Sequence, residues 1–151
     1  MPMTGRIHAA LEMRLGARLV SYADTTGRGR VLGGEAGIYT RRNPDTVRGA
    51  DVLFISHERY ARCSPLTFLD VAPELVVEIH SSEDRPGEAA KKIREYLAIG
   101  VDRVWYIHPR RRQVRVYRSP EQVETLGMGD VLRDEEILPG FALPLSELFR
   151  D

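Results

Sequence analysis

Cysteine is almost absent from this chain of 151 residues. Cys63 stands alone, which excludes an internal disulfide and any metal site built from several thiolates. Lysine is nearly as scarce. Of 22 basic residues only Lys91 and Lys92 are lysine, and the rest are arginine. Neither sign of charge is in excess, with 22 basic residues against 22 acidic ones. That balance argues against a general nucleic-acid coat protein but leaves room for a local basic face. Long apolar runs are missing, and none approaches the roughly 20 residues that a membrane span needs. The N-terminal stretch carries Arg6, Glu12, Arg14 and Arg18 within its apolar pattern, unlike a signal peptide. There is no internal repeat and no low-complexity segment. These absences point to a cytoplasmic protein with no membrane partner.

What is present suits one domain spanning residues 1–151, long enough for a real core. Ile7, Leu11, Leu15 and Leu19 recur every four residues and predict an amphipathic helix over residues 5–23. A strand is expected over 30–40, bent at Gly33-Gly34, then a turn at Asn43-Pro44-Asp45 and a second strand over 47–55. Residues 59–65 read as a loop with a short helical turn. Residues 75–80 alternate too little to be half exposed, so this strand is central. A loop over 81–87 leads into a helix that reaches Gly100, capped by Ser82 or Asp84 with Pro86 in its first turn. Strands follow over 103–107 and 113–117, around a turn at 109–112. Residues 122–126 and 131–137 read as a last hairpin around Gly127-Met128-Gly129-Asp130, and 145–150 as a closing helical turn. The order gives a mixed α/β (α+β) arrangement.

Two acids interrupt apolar strands. Glu78 lies inside Leu75-Val76-Val77-Glu78-Ile79. Burying a carboxylate unpaired costs several kcal/mol, so it must meet a metal, a cation or several donors. A hard-cation ligand is one reading, and a structural pair with an arginine is the other. Asp51 opens Asp51-Val52-Leu53-Phe54-Ile55 behind Gly49-Ala50. Alone it reads as a strand-start acid; beside Glu78 it could share one ion. On the following helix, Ala89, Ile93 and Leu97 define a buried stripe. Lys92 lies about 100° from Ile93 on the Tyr96 side, so its stem can cross apolar surface while its ammonium reaches the sheet end. Lys91 points nearly opposite, into solvent or onto a phosphate. An ammonium kept in a chain so rich in arginine suggests a compact point charge with a specific task. Asp, Glu and Lys on adjacent elements form the constellation of a metal-dependent phosphodiesterase.

Five stretches carry a resemblance. They are Thr46-Val47-Arg48-Gly49-Ala50-Asp51-Val52, Leu75-Val76-Val77-Glu78-Ile79-His80-Ser81, Lys92-Ile93-Arg94-Glu95-Tyr96, Gly100-Val101-Asp102-Arg103-Val104-Trp105 and Leu138-Pro139-Gly140-Phe141. In this order and spacing the chain resembles the Uma-type putative restriction endonuclease family, a branch of the PD-(D/E)XK nuclease superfamily. No single stretch is specific, but the ordered set is. The resemblance implies a restriction-endonuclease-like core, a mixed central β-sheet flanked by helices. It implies Mg²⁺-dependent cleavage of DNA, with Mn²⁺ as substitute and no organic cofactor. Asp51, Glu78 and the backbone carbonyl of Ile79 would be the metal ligands. Lys92 would stabilise charge on the scissile phosphate or orient the attacking water.

In the superfamily pattern a lysine stands two residues after the glutamate. That position is His80 here, and the branch takes its lysine from the helix instead. Glu35 matches a family acid and reads as an additional ligand, an outer hydrogen-bonding partner or an exposed strand acid. His80 stands beside it as an additional site candidate, although neither His80 nor His108 is assigned to a metal. Family members carry a further segment, with a Tyr-Glu pair and a strand, ahead of the stretch that begins at Met3-Thr4. Its lack here would expose a sheet edge and favour a homodimer. His8 and Glu12 lie one turn apart on a helix flank that is expected to be solvated, the alternative being that they face the cleft. Arg110-Arg111-Arg112 occupies a tight turn and reads as a solvated hairpin tip, the alternative being a grip on a phosphate backbone. The rival to an enzyme is a catalytically inactive nuclease-fold module that binds nucleic acid or a protein. The joint presence of Asp51, Glu78 and Lys92 speaks for the enzyme.

Overall fold

Leu11, Leu15 and Leu19 fall on one side of a long helix, α1 (Arg6–Thr26), and bury against a sheet. The computed structural model describes residues 5–151, so the Met3-Thr4 part of the family-like stretch lies outside it. α1 outruns its expected end. Thr26 donates its hydroxyl to the Tyr22 carbonyl at 2.8 Å, and Gly27 closes the helix in the left-handed region at φ 68°. Ile7, read as the start of the apolar stripe, is 61% exposed. His8 takes the inward position instead, three residues before Leu11 and seven before Leu15.

The sheet has six strands: β1 (Gly29–Arg41), β2 (Thr46–Ser56), β3 (Leu75–Ile79), β4 (Arg103–His108), β5 (Gln113–Tyr117) and β6 (Val123–Leu126). They lie in sequence order, and only β3 and β4 are parallel neighbours. A parallel pair needs a crossover, which α3 (Glu88–Ala98) supplies. A short helix, α2 (His57–Ala61), follows β2 earlier than expected, because Ser56 Oγ caps it by accepting the Arg59 N–H at 3.2 Å.

All five residues of β3 are buried, as befits a central strand covered on both faces. On one face α1 packs over Val52, Phe54, Val77 and Trp105. On the other, Ile93 and Tyr96 of α3 pack over Leu53, Val76 and Val104. The architecture is the expected mixed α/β arrangement. No helix among the described residues is long and apolar enough to cross a membrane.

The expected last hairpin does not form. β6 adds to β5, while β7 (Val131–Asp134) pairs with β8 (Leu138–Pro144) in a separate two-stranded sheet. The turn between β6 and β7 redirects the chain, with Asp130 accepting the Gly127 N–H at 2.7 Å. β8 escaped the sequence pattern because Pro139, Gly140 and Pro144 break its alternation. A two-stranded ribbon has outer edges that tolerate proline. α4 (Leu145–Leu148) then closes the α1 side of the core.

The cap of α3 also differs from expectation. Gly87, at φ 79°, holds the N-cap position, while Asp84 accepts the Ser81 N–H at 3.0 Å and so fixes the loop before the helix. At the start of β1, Gly29 lies against β2. A β-carbon there would press on the Ile55 carbonyl oxygen and the Phe54 ring. Gly29→Ala is expected to destabilise the protein by about 1–3 kcal/mol through overpacking, measured as a shift of the urea unfolding midpoint.

Candidate active site

β2 and β3 pair over Phe54–Leu75, Leu53–Val76 and Val52–Val77. The next pair in register would be Asp51 opposite Glu78. There the two strands part, and the Asp51 carboxylate enters the gap. Its Oδ2 accepts the Ile79 N–H at 2.7 Å, taking a backbone donor that a strand carbonyl would otherwise hold. Asp51 therefore lies within β2 rather than at its start, because β2 begins at Thr46 along its partner β1. Both acids are buried, Asp51 at 5% and Glu78 at 8% exposure.

α3 supplies the compensation for Glu78. Its Oε1 accepts the Tyr96 hydroxyl at 2.8 Å and lies 3.1 Å from Lys92 Nζ. Lys92 also donates to the Gly49 carbonyl at 3.2 Å. Lys91 is exposed. The alternative of an arginine partner for Glu78 is not what forms. Arg48 holds the helix instead, reaching Glu88 at 3.1 Å and Glu95 at 2.6 Å, on either side of Lys92. Burial pushes the Glu78 carboxyl up to about 7, with Lys92 pulling it down and Asp51 pushing it up. Burial, and then the Glu78 charge, also push the Tyr96 phenol up, so it remains a hydrogen-bond donor.

The flank of α1 expected in solvent faces this site. His8 Nε2 lies 3.3 Å from Asp51 Oδ2. That hydrogen bond raises the His8 pKa, while burial followed by the Asp51 charge raises that of Glu12. Potential ligand atoms of His8, Glu12 and Asp51 all lie within 4.8 Å of one another. The missed signal was the heptad spacing from His8 to Leu15, which the apolar Ile7 obscured.

Glu35 is exposed and sits in a β-bulge, where the β1–β2 register slips between Gly33 and Ala36. Its own φ is 65° and that of Gly34 is 68°. A side chain on Gly49 would meet the Glu35 side chain at 3.0–3.1 Å, so glycine there leaves room for this acid. His80 is not brought to the acid pair. Its Nδ1 shares a 2.6 Å hydrogen bond with the Tyr106 hydroxyl, and its ring stacks on His108 at 4.5 Å. Tyr106, which the sequence did not mark, lines the cleft.

The cleft has a volume of about 270 Å³ and is bordered by His8, Glu35, Asp51, Glu78, Ile79 and Lys92. Two buried carboxylates across a strand gap, with one ammonium on Glu78 and an imidazole on Asp51, gather hard oxygen donors at one point. That donor chemistry fits a hard divalent cation such as Mg²⁺ or Mn²⁺.

No curated protein matches the chain. Among solved structures it is similar to a putative nuclease belonging to DUF820 from Anabaena variabilis. The identity is 20% and the TM-score 0.84, over 98% of this chain and 83% of that one. That likeness extends to the fold. The sequence profile of the Uma2 family, described as putative restriction endonuclease, matches residues 1–146. With nearly the whole length matched, the chain belongs to the Uma2 family of putative restriction endonucleases.

Proposed function

We propose that this protein is a Mg²⁺-dependent endonuclease that hydrolyses phosphodiester bonds in DNA, as a single cytoplasmic domain. The observation that carries the reading is the Asp51–Glu78 pair at the parting of β2 and β3, with Lys92 on Glu78. Asp51, Glu78 and the Ile79 carbonyl would hold the cation, with Mn²⁺ able to replace it. When bound, such an ion polarises a phosphoryl oxygen and acidifies a water. Lys92 neutralises charge developing on the scissile phosphate from a half-buried position beside Glu78. Tyr96 and the Ile79 N–H orient Glu78 and Asp51 respectively. Glu35, projecting from its bulge, is an additional ligand or a water-bridged partner of the ion. His8 and Glu12 extend the donor set on the Asp51 side.

A homodimer through the β1 edge belongs to this reading. Leu69 already takes the Tyr39 N–H and donates to the Gly37 carbonyl. Pairing with a second copy is therefore confined to the first half of β1.

The test that separates the enzyme from an inactive binding module needs no substrate. In a Mn²⁺ titration at millimolar metal, the wild type is expected to bind and Glu78→Ala to lose that binding. Equal binding by both proteins, or none by either, sinks the metal-dependent reading.

A further inference from the structure

Beside the acid-lined cleft lies a larger groove of about 440 Å³. It shares His8, Ser81 and Glu83 with the cleft, so the two run into one another. Their charges differ. Around the cleft Glu35, Asp51, Glu78, Glu83, Asp84 and Glu88 face Lys92 and His8. Around the groove Arg6 and Arg110 face a single acid, Glu83.

Arg110 belongs to the turn between β4 and β5, together with Arg111 and Arg112. These three and Arg6 are all exposed. Among the described residues none of the four has an ion-pair partner, so their guanidinium groups are open to an anion, as are those of Arg118 and Arg133 in a separate groove. The turn is also fixed in place. Arg112 donates its N–H to the Pro109 carbonyl at 3.3 Å, and Arg111 donates to His108 Nδ1 at 3.4 Å. The His108 ring stacks on His80, a wall of the groove. Unpaired guanidinium groups on a backbone turn held beside a negative cleft provide what that cleft lacks. A polyanion repelled by the acids can be held by its flanking phosphates while one phosphate approaches Lys92.

We infer that this groove carries the nucleic-acid backbone next to the cut. The strand then passes from the Arg110–Arg112 turn, along the first turn of α1, into the Lys92 cleft. The inference rests on the nuclease reading and adds the path of the substrate. The arginine turn is exposed, as expected of a hairpin tip, and the inference gives that tip a phosphate backbone to hold.

The test is fluorescence anisotropy with a fluorescein-labelled DNA duplex of random sequence, in EDTA across a series of NaCl concentrations. Removing one arginine–phosphate pair lowers the slope of log K against log salt by about 0.9. The Arg6→Ala/Arg110→Ala/Arg111→Ala protein is expected to show a slope shallower by about 2–3 and at least tenfold weaker binding near 0.1 M salt. Arg118→Ala/Arg133→Ala alters a separate groove walled by Glu124, Glu135 and Glu136, and is expected to bind like the wild type. A triple variant with wild-type slope and affinity overturns the inference, as does a wild type that binds no DNA. If the wild type cuts DNA while the triple variant keeps its slope, the groove falls and the nuclease reading stands. If DNA binds through the groove but no divalent metal supports cutting, the nuclease reading falls and the groove stands.

Discussion

Glu78→Gln is expected to abolish cleavage and, in metal-free buffer at pH 8, to make the protein more stable than the wild type. The two effects share one cause. Burial holds the Glu78 carboxyl at about 7, against 4.5 for an exposed glutamate. A raised folded-state value means that folding favours the protonated form. The associated stability is complete below about pH 4.5 and is lost as pH rises through about 7, because the folded protein must then bury a charge. The loss at pH 8 is about 3 kcal/mol at the usual conversion of pKa to free energy. His8, also raised, contributes in the same direction. Glutamine keeps an acceptor for Tyr96 and never ionises. Urea midpoints of the metal-free wild type should therefore fall from pH 5 to pH 8, while those of the variant stay flatter. Added Mg²⁺ should restore the wild type at pH 8, since binding to the folded state stabilises it by mass action. Cleavage by the variant should drop by about 10³-fold or more, the scale on which one essential electrostatic group acts. A variant no more stable than wild type at pH 8 would contradict the account of the buried charge.

Lys92→Ala should do harm on both counts. It leaves Glu78 without its cation, and the cost at pH 8 is expected to be about 1 kcal/mol, because a carboxyl already held at about 7 takes up a proton once its charge is unpaired. The cost should shrink at pH 5, where the carboxyl is protonated. Cleavage should fall by about 10²–10³-fold. Lys92→Arg should not rescue it, because a longer, planar guanidinium with diffuse charge does not fit the place of the compact ammonium, 3.1 Å from Glu78 and 3.2 Å from the Gly49 carbonyl. The Glu78→Gln/Lys92→Ala double variant supplies the control. If the pair is coupled as its geometry implies, the double variant recovers most of the stability and none of the activity. A double variant whose urea midpoint and single-turnover rate are the sums of the two single effects would remove Lys92 from its role.

The acids were legible in the sequence because a carboxylate in an apolar strand demands an explanation, and Lys92 because helical phase alone set it on the sheet side. Their neighbours were harder to read. Tyr96 looks like core by spacing, and it is fully buried. Only the tertiary fold shows that its hydroxyl ends on Glu78. His8 was lost to a phase error of one residue, about 100° of helix, since an apolar Ile7 seemed the better start for the stripe. The pairing of β6 with β5, and of β7 with β8, depends on which edges the folded chain brings together. Local turn chemistry at Gly127-Met128-Gly129-Asp130 does not encode it. Gly33-Gly34 announced a bend in β1, but the left-handed backbone of Glu35 follows from the register of β2 and leaves no trace in composition.

The Ile79 amide proton belongs to a strand yet is held by a side chain, the Asp51 carboxylate. That makes one backbone nucleus a spectroscopic reporter of the site. Its nitrogen chemical shift and its exchange with deuterated solvent should follow the charge and occupancy of Asp51, while the neighbouring amides of β3 report only the sheet. Metal arrival, a protonation step or a substitution elsewhere in the cleft can thus be followed at a single amide without substrate or turnover.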